Sequence, residues 1–584
     1  MFRRIFLILT AMATICAIAL ITTIPKDKPG AIIQTPQGPV KGVVTPNSVQ
    51  NVKSIPFAAP PIGDLRWRPP GTAPKWKEVR AATKFSPMCV QNVGSGDSFL
   101  KLMLERHGIS SFKKFLIHQI VAMSGTPRVS EDCLYLNIRT ANINQDGKVK
   151  DDLMPVMVWI HGGGHQFGSG DFDFYQGDNL PLKGVVLVTI NYRLGAFGYM
   201  AHPALSADDP RGVSGNYGTL DQIAALKWVR DNISAYGGNP DNVTIFGESA
   251  GAWSVTEMMT APDAKGLFHK AIGQSGASTY HLGQLDTNST SWIDGYEAGL
   301  KLAKRVDAES PTAQQLRDVP ADIIQAVITP ELADGFHHVR DGVVFPKNVG
   351  IAFQDGDFYS VPTIFGYNSD EATVFFPDDP EPTVWVEGLP RSDRNAQIEA
   401  LRPHFGKKAE ILVDLYGLDN DFDAGGEQMM GDEFFGTNIR LVTRANALKR
   451  TPAYSYVFTR VPPNEKQTIG AYHVAEVPFV FGTAEKAFGW SDEDEALAEL
   501  MQSYWTNFAK TGDPNGEGLP TWELYRGGNW MQLAANNGLE TKTIKNYRQE
   551  KLDALEYGLK RKLALIRPLQ TQQSPDVSDS QSGE

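Results

Sequence analysis

Apolar runs with little polar interruption recur through the middle of the chain, at residues 156–160 (V-M-V-W-I), 185–190 (V-V-L-V-T-I) and 243–246 (V-T-I-F). Segments apolar on both faces suit a parallel sheet covered by helices on each side. Between the second and third runs, Leu220, Ile223, Leu226, Val229 and Ile233 recur at helical intervals, and Gly237-Gly238 ends that helix. Residues 271–273 and 361–365 continue the alternation, 454–458 form a late strand, and 499–510 form an amphipathic helix stopped by Gly512 and Pro514. The β-α-β-α succession predicts an α/β fold with a large, mostly parallel central sheet.

The flanking segments have other patterns. Residues 32–44 predict short strands broken by turns, and the proline-rich stretch 56–74 predicts extended loop. Residues 95–126 carry helical apolar spacing at Phe99, Leu102, Met103, Phe112, Phe115, Leu116 and Ile120. Residues 278–350 and 375–450 are more helical and more polar, and are expected to lie as insertions over the C-terminal edge of the sheet, where open α/β sheets bind ligands. The last stretch, 570–584, is rich in Ser, Gln and Asp and is expected to be disordered. One domain is therefore expected over 29–569.

Residues 1–28 stand apart. Arg3 and Arg4 precede residues 5–24, which carry no charge, the pattern of an export segment. The run is just long enough to span a bilayer. It predicts either a signal peptide cleaved near Ala17-Ile18-Ala19 or an anchor that tethers the chain to a membrane through residues 5–24. Both place the remainder outside the cytoplasm: periplasmic, secreted, or on the outer face of the membrane. Cys16 lies in this segment, leaving Cys89 and Cys133. That pair suggests one disulfide in an oxidising compartment, with two buried thiols as the alternative. The formal net charge of -12 argues against nucleic acid as a partner.

The chemistry centres on residues 243–255, V-T-I-F-G-E-S-A-G-A-W-S-V. A strand, the turn Gly247-Glu248-Ser249-Ala250-Gly251 and a helix follow one another. A serine hydroxyl is a weak nucleophile and must be held out beside a base. A sharp strand-to-helix turn does this, and the helix N-terminus favours an oxyanion forming there. The second signal is His161-Gly162-Gly163-Gly164-His165, directly after the strand 156–160. Consecutive glycines let backbone N–H groups converge, so Gly163, Gly164 and Ala250 are the expected oxyanion donors. A metal held by His161 and His165 is the competing reading, and no neighbouring Cys or Glu completes a set, so neither metal nor cofactor is expected. The base should be a late histidine. His269, His281, His337, His338, His404 and His473 are the candidates, and spacing does not choose among them. His473 stands on a loop before the apolar run 477–481, a position that suits a base. For the acid, Asp370 and Glu371 stand together after a strand, and their chemistry does not separate them.

With these residues assembled, the chain resembles the type-B carboxylesterase/lipase family, which has the α/β-hydrolase fold and includes the cholinesterases. The resemblance runs from about residue 32 to 526. It rests on Glu131-Asp132-Cys133-Leu134-Tyr135-Leu136-Asn137, on the glycine loop, on Asn191-Tyr192-Arg193-Leu194-Gly195, on Gly215-Asn216-Tyr217-Gly218, and on Gly237-Gly238-Asn239-Pro240 continuing to the Ser249 turn. It implies a serine hydrolase that cleaves small-molecule carboxylic esters through an acyl-enzyme, using a Ser-Glu-His triad. Glu371 is then the implied acid and His473 the implied base, with Glu476 behind it and an aromatic-rich strand following. Cys89–Cys133 corresponds to the family's first disulfide. His165 departs from the family, which usually has an aromatic residue there, and residues 90–132 lack the choline-binding tryptophan of the cholinesterases. A binding or adhesion protein on the same fold is the second reading; such relatives have typically lost a triad residue, and here each position is filled. The sequence sets neither the oligomeric state nor the particular ester.

Overall fold

The computed structural model describes residues 27–92, 127–279, 283–285, 295–308, 310–375, 389–461, 467–483, 490–534 and 540–568. The export segment, the helical spacing at 95–126 and the tail 570–584 lie outside the described residues.

One large sheet organises the chain. Besides a short strand, Arg80–Ala81, that pairs with the second strand, its strands are β1 (Lys28–Ile33), β2 (Val40–Val44), β3 (Gln50–Pro56), β4 (Tyr135–Thr140), β5 (Met154–Ile160), β6 (Val186–Ile190), β7 (Gly238–Glu248), β8 (Lys270–Gln274), β9 (Thr363–Asn368), β10 (Ala453–Phe458), β11 (Asn529–Leu533) and β12 (Lys542–Lys545). They lie in the order β1-β2-β3-β4-β6-β5-β7-β8-β9-β10-β11-β12. From β6 to β11 every pairing is parallel. The antiparallel pairings lie at the two margins.

Side-chain alternation explains why the central runs are apolar throughout. Val156, Val158 and Ile160 of β5 enter one core, together with Leu226 and Val229 of α1 (Tyr217–Asn232) and Val255 and Met258 of α2 (Ala250–Met258). Met157 and Trp159 enter the opposite core, with Leu497, Met501, Trp505 and Phe508 of α3 (Asp492–Thr511). Successive strand residues point to opposite faces, so a strand covered on both sides needs apolar residues at every position. Each fully buried side chain of this size contributes about 1.5–3 kcal/mol relative to exposure. Trp159 packs its ring 4.8 Å from that of Phe246 and 5.0 Å from that of Phe481.

Three expectations are modified. The apolar run after Glu476 is a short helix, Val477–Phe481, and not a strand. Glu476 is its N-cap and Pro478 stands in its first turn, where a missing N–H costs nothing. The helix expected over 499–510 starts earlier, at Asp492, because Ser491 and Asp494 form a capping box and the acidic first turn suits the helix dipole. A C-terminal helix, α4 (Gln549–Ile566), adds to the expected elements; it buries Leu552, Leu555, Leu559, Leu563 and Ile566. Its helical spacing stands in the sequence, but beyond the reach of the family motifs.

Cys89 and Cys133 are joined, with S–S 2.06 Å and Cα atoms 5.0 Å apart, so the disulfide reading holds over the free-thiol one. On chain entropy a loop of this length stabilises the fold by about 4 kcal/mol. No helix among the described residues is long and apolar enough to cross a membrane.

Candidate active site

β7 runs straight into α2 through Ser249, whose backbone lies at φ 57° and ψ -125°. That conformation costs an L-residue about 1–3 kcal/mol and persists only where the surroundings enforce it. Here they do. The Ser249 N–H donates to the Gln274 carbonyl at 2.9 Å. A Cβ on Gly251 would overlap the Ile160 carbonyl oxygen at the end of β5, and one on Gly247 would lie 2.7 Å from the same oxygen. The two glycines therefore let the turn pack flat against β5 and lift the Ser249 side chain clear. Gly251→Ala is expected to cost about 1–3 kcal/mol by overpacking, read as a lower midpoint in thermal melting; an unchanged midpoint would mean that the turn has room to spare.

The glycine loop begins one residue after β5. Gly163 and Gly164 both take left-handed backbone, φ 100° and 61°. The Gly163 carbonyl accepts from the Gln166 and Phe167 N–H groups at 2.9 and 3.1 Å, which fixes the loop. Among the described residues, the N–H groups of Gly163 and Gly164 donate to nothing. Gly162 is pressed on the turn: a Cβ there would lie 2.7 Å from the Glu248 carbonyl oxygen and 3.1 Å from Ser249 Cβ.

Of the late histidines, His473 meets the acidic pair. Its Nδ1 lies 2.6 Å from Glu371 Oε2, and Glu371 Oε1 accepts from the Asn368 N–H at 2.7 Å. A carboxylate only accepts, so Nδ1 carries the hydrogen and Nε2 is the free edge. Phe375 and Phe435 flank the imidazole at 5.1 and 5.0 Å. Asp370 turns elsewhere. Its Oδ2 accepts from the Ala471 N–H at 2.9 Å and braces the loop that carries His473. Glu476 accepts from Asn368 Nδ2 at 2.6 Å and from Gln274 Nε2 at 3.2 Å. Gln274 thus joins the Ser249 backbone to the carboxylate behind the histidine, a link that no sequence motif signals. The other candidates go elsewhere. His269 Nδ1 accepts from the Val243 N–H at 3.1 Å, His404 closes a helix, and His281 lies outside the described residues.

His473 Nε2 lies 3.0 Å from Glu248 Oε1, close enough for charge attraction but not aligned as a hydrogen bond. No hydrogen bond links Ser249 to His473 among the described residues. Burial disfavours the imidazolium, but the charges of Glu248 and Glu371 outweigh it and push His473 up to about 9. Glu248 is itself pushed up by burial. A charge on either group favours a charge on the other, and the Nδ1 hydrogen bond to Glu371 further favours the charged imidazole.

A second cluster lies behind the glycine loop. His165, Glu257 and His338 are all buried, and one ligand-capable atom of each lies within 4.8 Å of the others. His165 rests among the rings of Tyr192, Tyr199 and Trp253, at 5.9, 5.3 and 5.9 Å, so it takes a packed position beneath the loop. Burial pushes His161 down to about 4, holds His165 and His338 well below the ordinary histidine range, and raises Glu257 to about 7. The sequence neighbourhood of the loop supplies no carboxylate; in the fold Glu257 comes from α2 and His338 from a distant segment. His161 takes no part in this set.

A family model described as the carboxylesterase family matches residues 29–555. The chain is 35% identical over 528 residues to fumonisin B1 esterase of Sphingopyxis macrogoltabida, covering 88% of each. It is 35% identical over 517 residues to para-nitrobenzyl esterase of Bacillus subtilis (strain 168), covering 85% of this chain and 92% of that one. A solved PNB esterase structure superposes with a TM-score of 0.70 at 31% identity, covering 90% of this chain and 99% of that one.

Proposed function

As the chain belongs to the carboxylesterase family, with the α/β-hydrolase fold, and is a carboxylic ester hydrolase, we propose that Ser249, His473 and Glu371 are its catalytic triad and that Gly163, Gly164 and Ala250 form its oxyanion hole. The observation that carries this reading is the 2.6 Å contact of Glu371 with His473 at the sheet edge where the strained turn exposes Ser249. In this reading Nε2 turns from Glu248 to Ser249 when substrate binds, since catalytic hydrogen bonds often tighten only in the complex. Ser249 Oγ attacks the ester carbonyl carbon as His473 Nε2 takes its proton. The carbonyl oxygen becomes an oxyanion held by the three N–H groups. Collapse breaks the bond to the alcohol, whose oxygen takes the proton from Nε2. Water then attacks the acyl-enzyme as Nε2 takes its proton; the second collapse breaks the bond to Ser249 Oγ, which takes that proton from Nε2 as the acid leaves.

The test is hydrolysis of p-nitrophenyl esters from C2 to C16, with fluorophosphonate labelling mapped by mass spectrometry. Turnover with the label on Ser249 is expected. A folded protein that neither turns over nor takes the label would favour the binding-protein reading.

The base must be neutral, so kcat/KM is expected to rise with pH through the His473 midpoint. Removing the Glu248 charge takes away the largest influence raising that midpoint. Glu248→Gln should therefore move the rising limb to lower pH by about one pH unit. A limb that stays in place would mean that Glu248 carries no charge against the imidazole.

The same reading treats residues 1–28 as an export segment, 29–569 as the catalytic domain and 570–584 as a tail. The match over 29–555 and the Cys89–Cys133 bond support it. Mass spectrometry of the exported protein would show whether residues 5–24 are removed or retained as a tether.

A further inference from the structure

We infer that His165, Glu257 and His338 form a binding site for one divalent transition ion of the zinc type, separate from the proposed triad, which ties the glycine loop to α2 and to the segment entering the strand Val339–Arg340. Three buried atoms point to it. His165 Nδ1, Glu257 Oε2 and His338 Nε2 are each enclosed and make no aligned hydrogen bond, and Oε2 and Nε2 face one another in an ion-pair contact. A buried polar group left unsatisfied is destabilising, so the cluster calls for an explanation. A neutral polar cluster would align His338 with Glu257. Instead Nε2 and Oε2 stand 2.8 Å apart without hydrogen-bond geometry.

Two imidazoles and one carboxylate are the N/O donor set that such ions favour. Zinc bonds of about 2.0–2.1 Å place ligand atoms roughly 3.4 Å apart. Each residue offers a ligand-capable atom within 4.8 Å of the others, so closing on one ion needs the His338–Glu257 pair to part slightly from 2.8 Å and the wider pairs to draw in. The outer hydrogen bonds are also in place. His165 Nε2 lies 2.9 Å from Ser254 Oγ, which accepts from Gln222 Nε2 at 2.9 Å. A partner on one ring nitrogen fixes the orientation of the other, as in known metal-bound histidines. The ligands come from three segments distant in sequence, so an ion here would lock the glycine loop against the helix that follows Ser249.

The test uses the full chain, stripped with chelator and titrated with Zn²⁺ and Co²⁺ by calorimetry and absorption spectroscopy. One ion per chain is expected, with the intense visible bands of tetrahedral Co²⁺ and a rise in thermal midpoint of a few degrees. Glu257→Gln and His338→Asn, which keep size and polarity, should weaken binding by at least about tenfold. If both variants fail to fold, the Co²⁺ spectrum of the parent decides. Absence of binding by the folded parent at millimolar metal would overturn the inference, leaving a buried water or a neutral network in its place. So would unchanged affinity in the folded variants. None of these readouts depends on esterase activity.

Discussion

Ser249→Ala is expected to lower kcat on a p-nitrophenyl ester by about 10⁴- to 10⁶-fold while the protein stays folded. The size of the loss follows from the turn. Ser249 is partly exposed at the point where β7 meets α2, while Glu248 and Ala250 on either side are buried. The turn from Gly247 to Gly251 carries no other hydroxyl that could act in its place. The fold should tolerate the change because the backbone restraints remain: the N–H to Gln274 and the packing of Gly247 and Gly251 on β5 do not involve the hydroxyl. Alanine also meets the same strain as serine at φ 57°. The residual rate should reflect the N–H groups of the glycine loop acting on bound substrate. Steady-state kinetics beside a melting curve decide the matter, and turnover within tenfold of the parent would remove Ser249 from the chemistry.

Glu371→Gln is expected to cost about 10⁴-fold in kcat with little change in KM. A carboxylate accepts from His473 Nδ1–H and leaves Nε2 free to take the serine proton. An amide can instead donate to Nδ1, which puts the ring hydrogen on Nε2 and blocks it as a base. Raising the pH should not restore the rate, because the fault lies in the tautomer and not in the charge. The buried scaffold should hold, since the amide oxygen can still accept from the Asn368 N–H. A loss below tenfold would shift the orienting role to Glu476, whose carboxylate accepts from Asn368 Nδ2 at 2.6 Å.

Much of this protein is written locally in its sequence. The central strands are legible because a strand covered on both faces must be apolar at successive positions, as at 156–160 and 186–190. The serine turn and the glycine loop are legible because backbone strain and close approach admit few residues, and those residues are neighbours in the chain. Residues 477–481 mark the limit: five apolar residues fit a buried strand or a buried helical turn, and Glu476 with Pro478 tips the balance to the helix.

Only the tertiary structure decided the partnerships. His473 and Glu371 are 102 positions apart and meet because their loops leave the same edge of the sheet, after β9 and β10. The sequence could not separate Asp370 from Glu371, because one residue of difference along a loop becomes opposite directions in space: Glu371 turns to the imidazole and Asp370 to the Ala471 N–H. Glu248 facing Nε2, and Glu257 with His338 closing around His165, have the same origin. A strand or a turn is fixed by the covalent neighbours of each residue. A site is fixed by which strand ends and helix faces the packed sheet brings together, and no spacing along the chain records that distance.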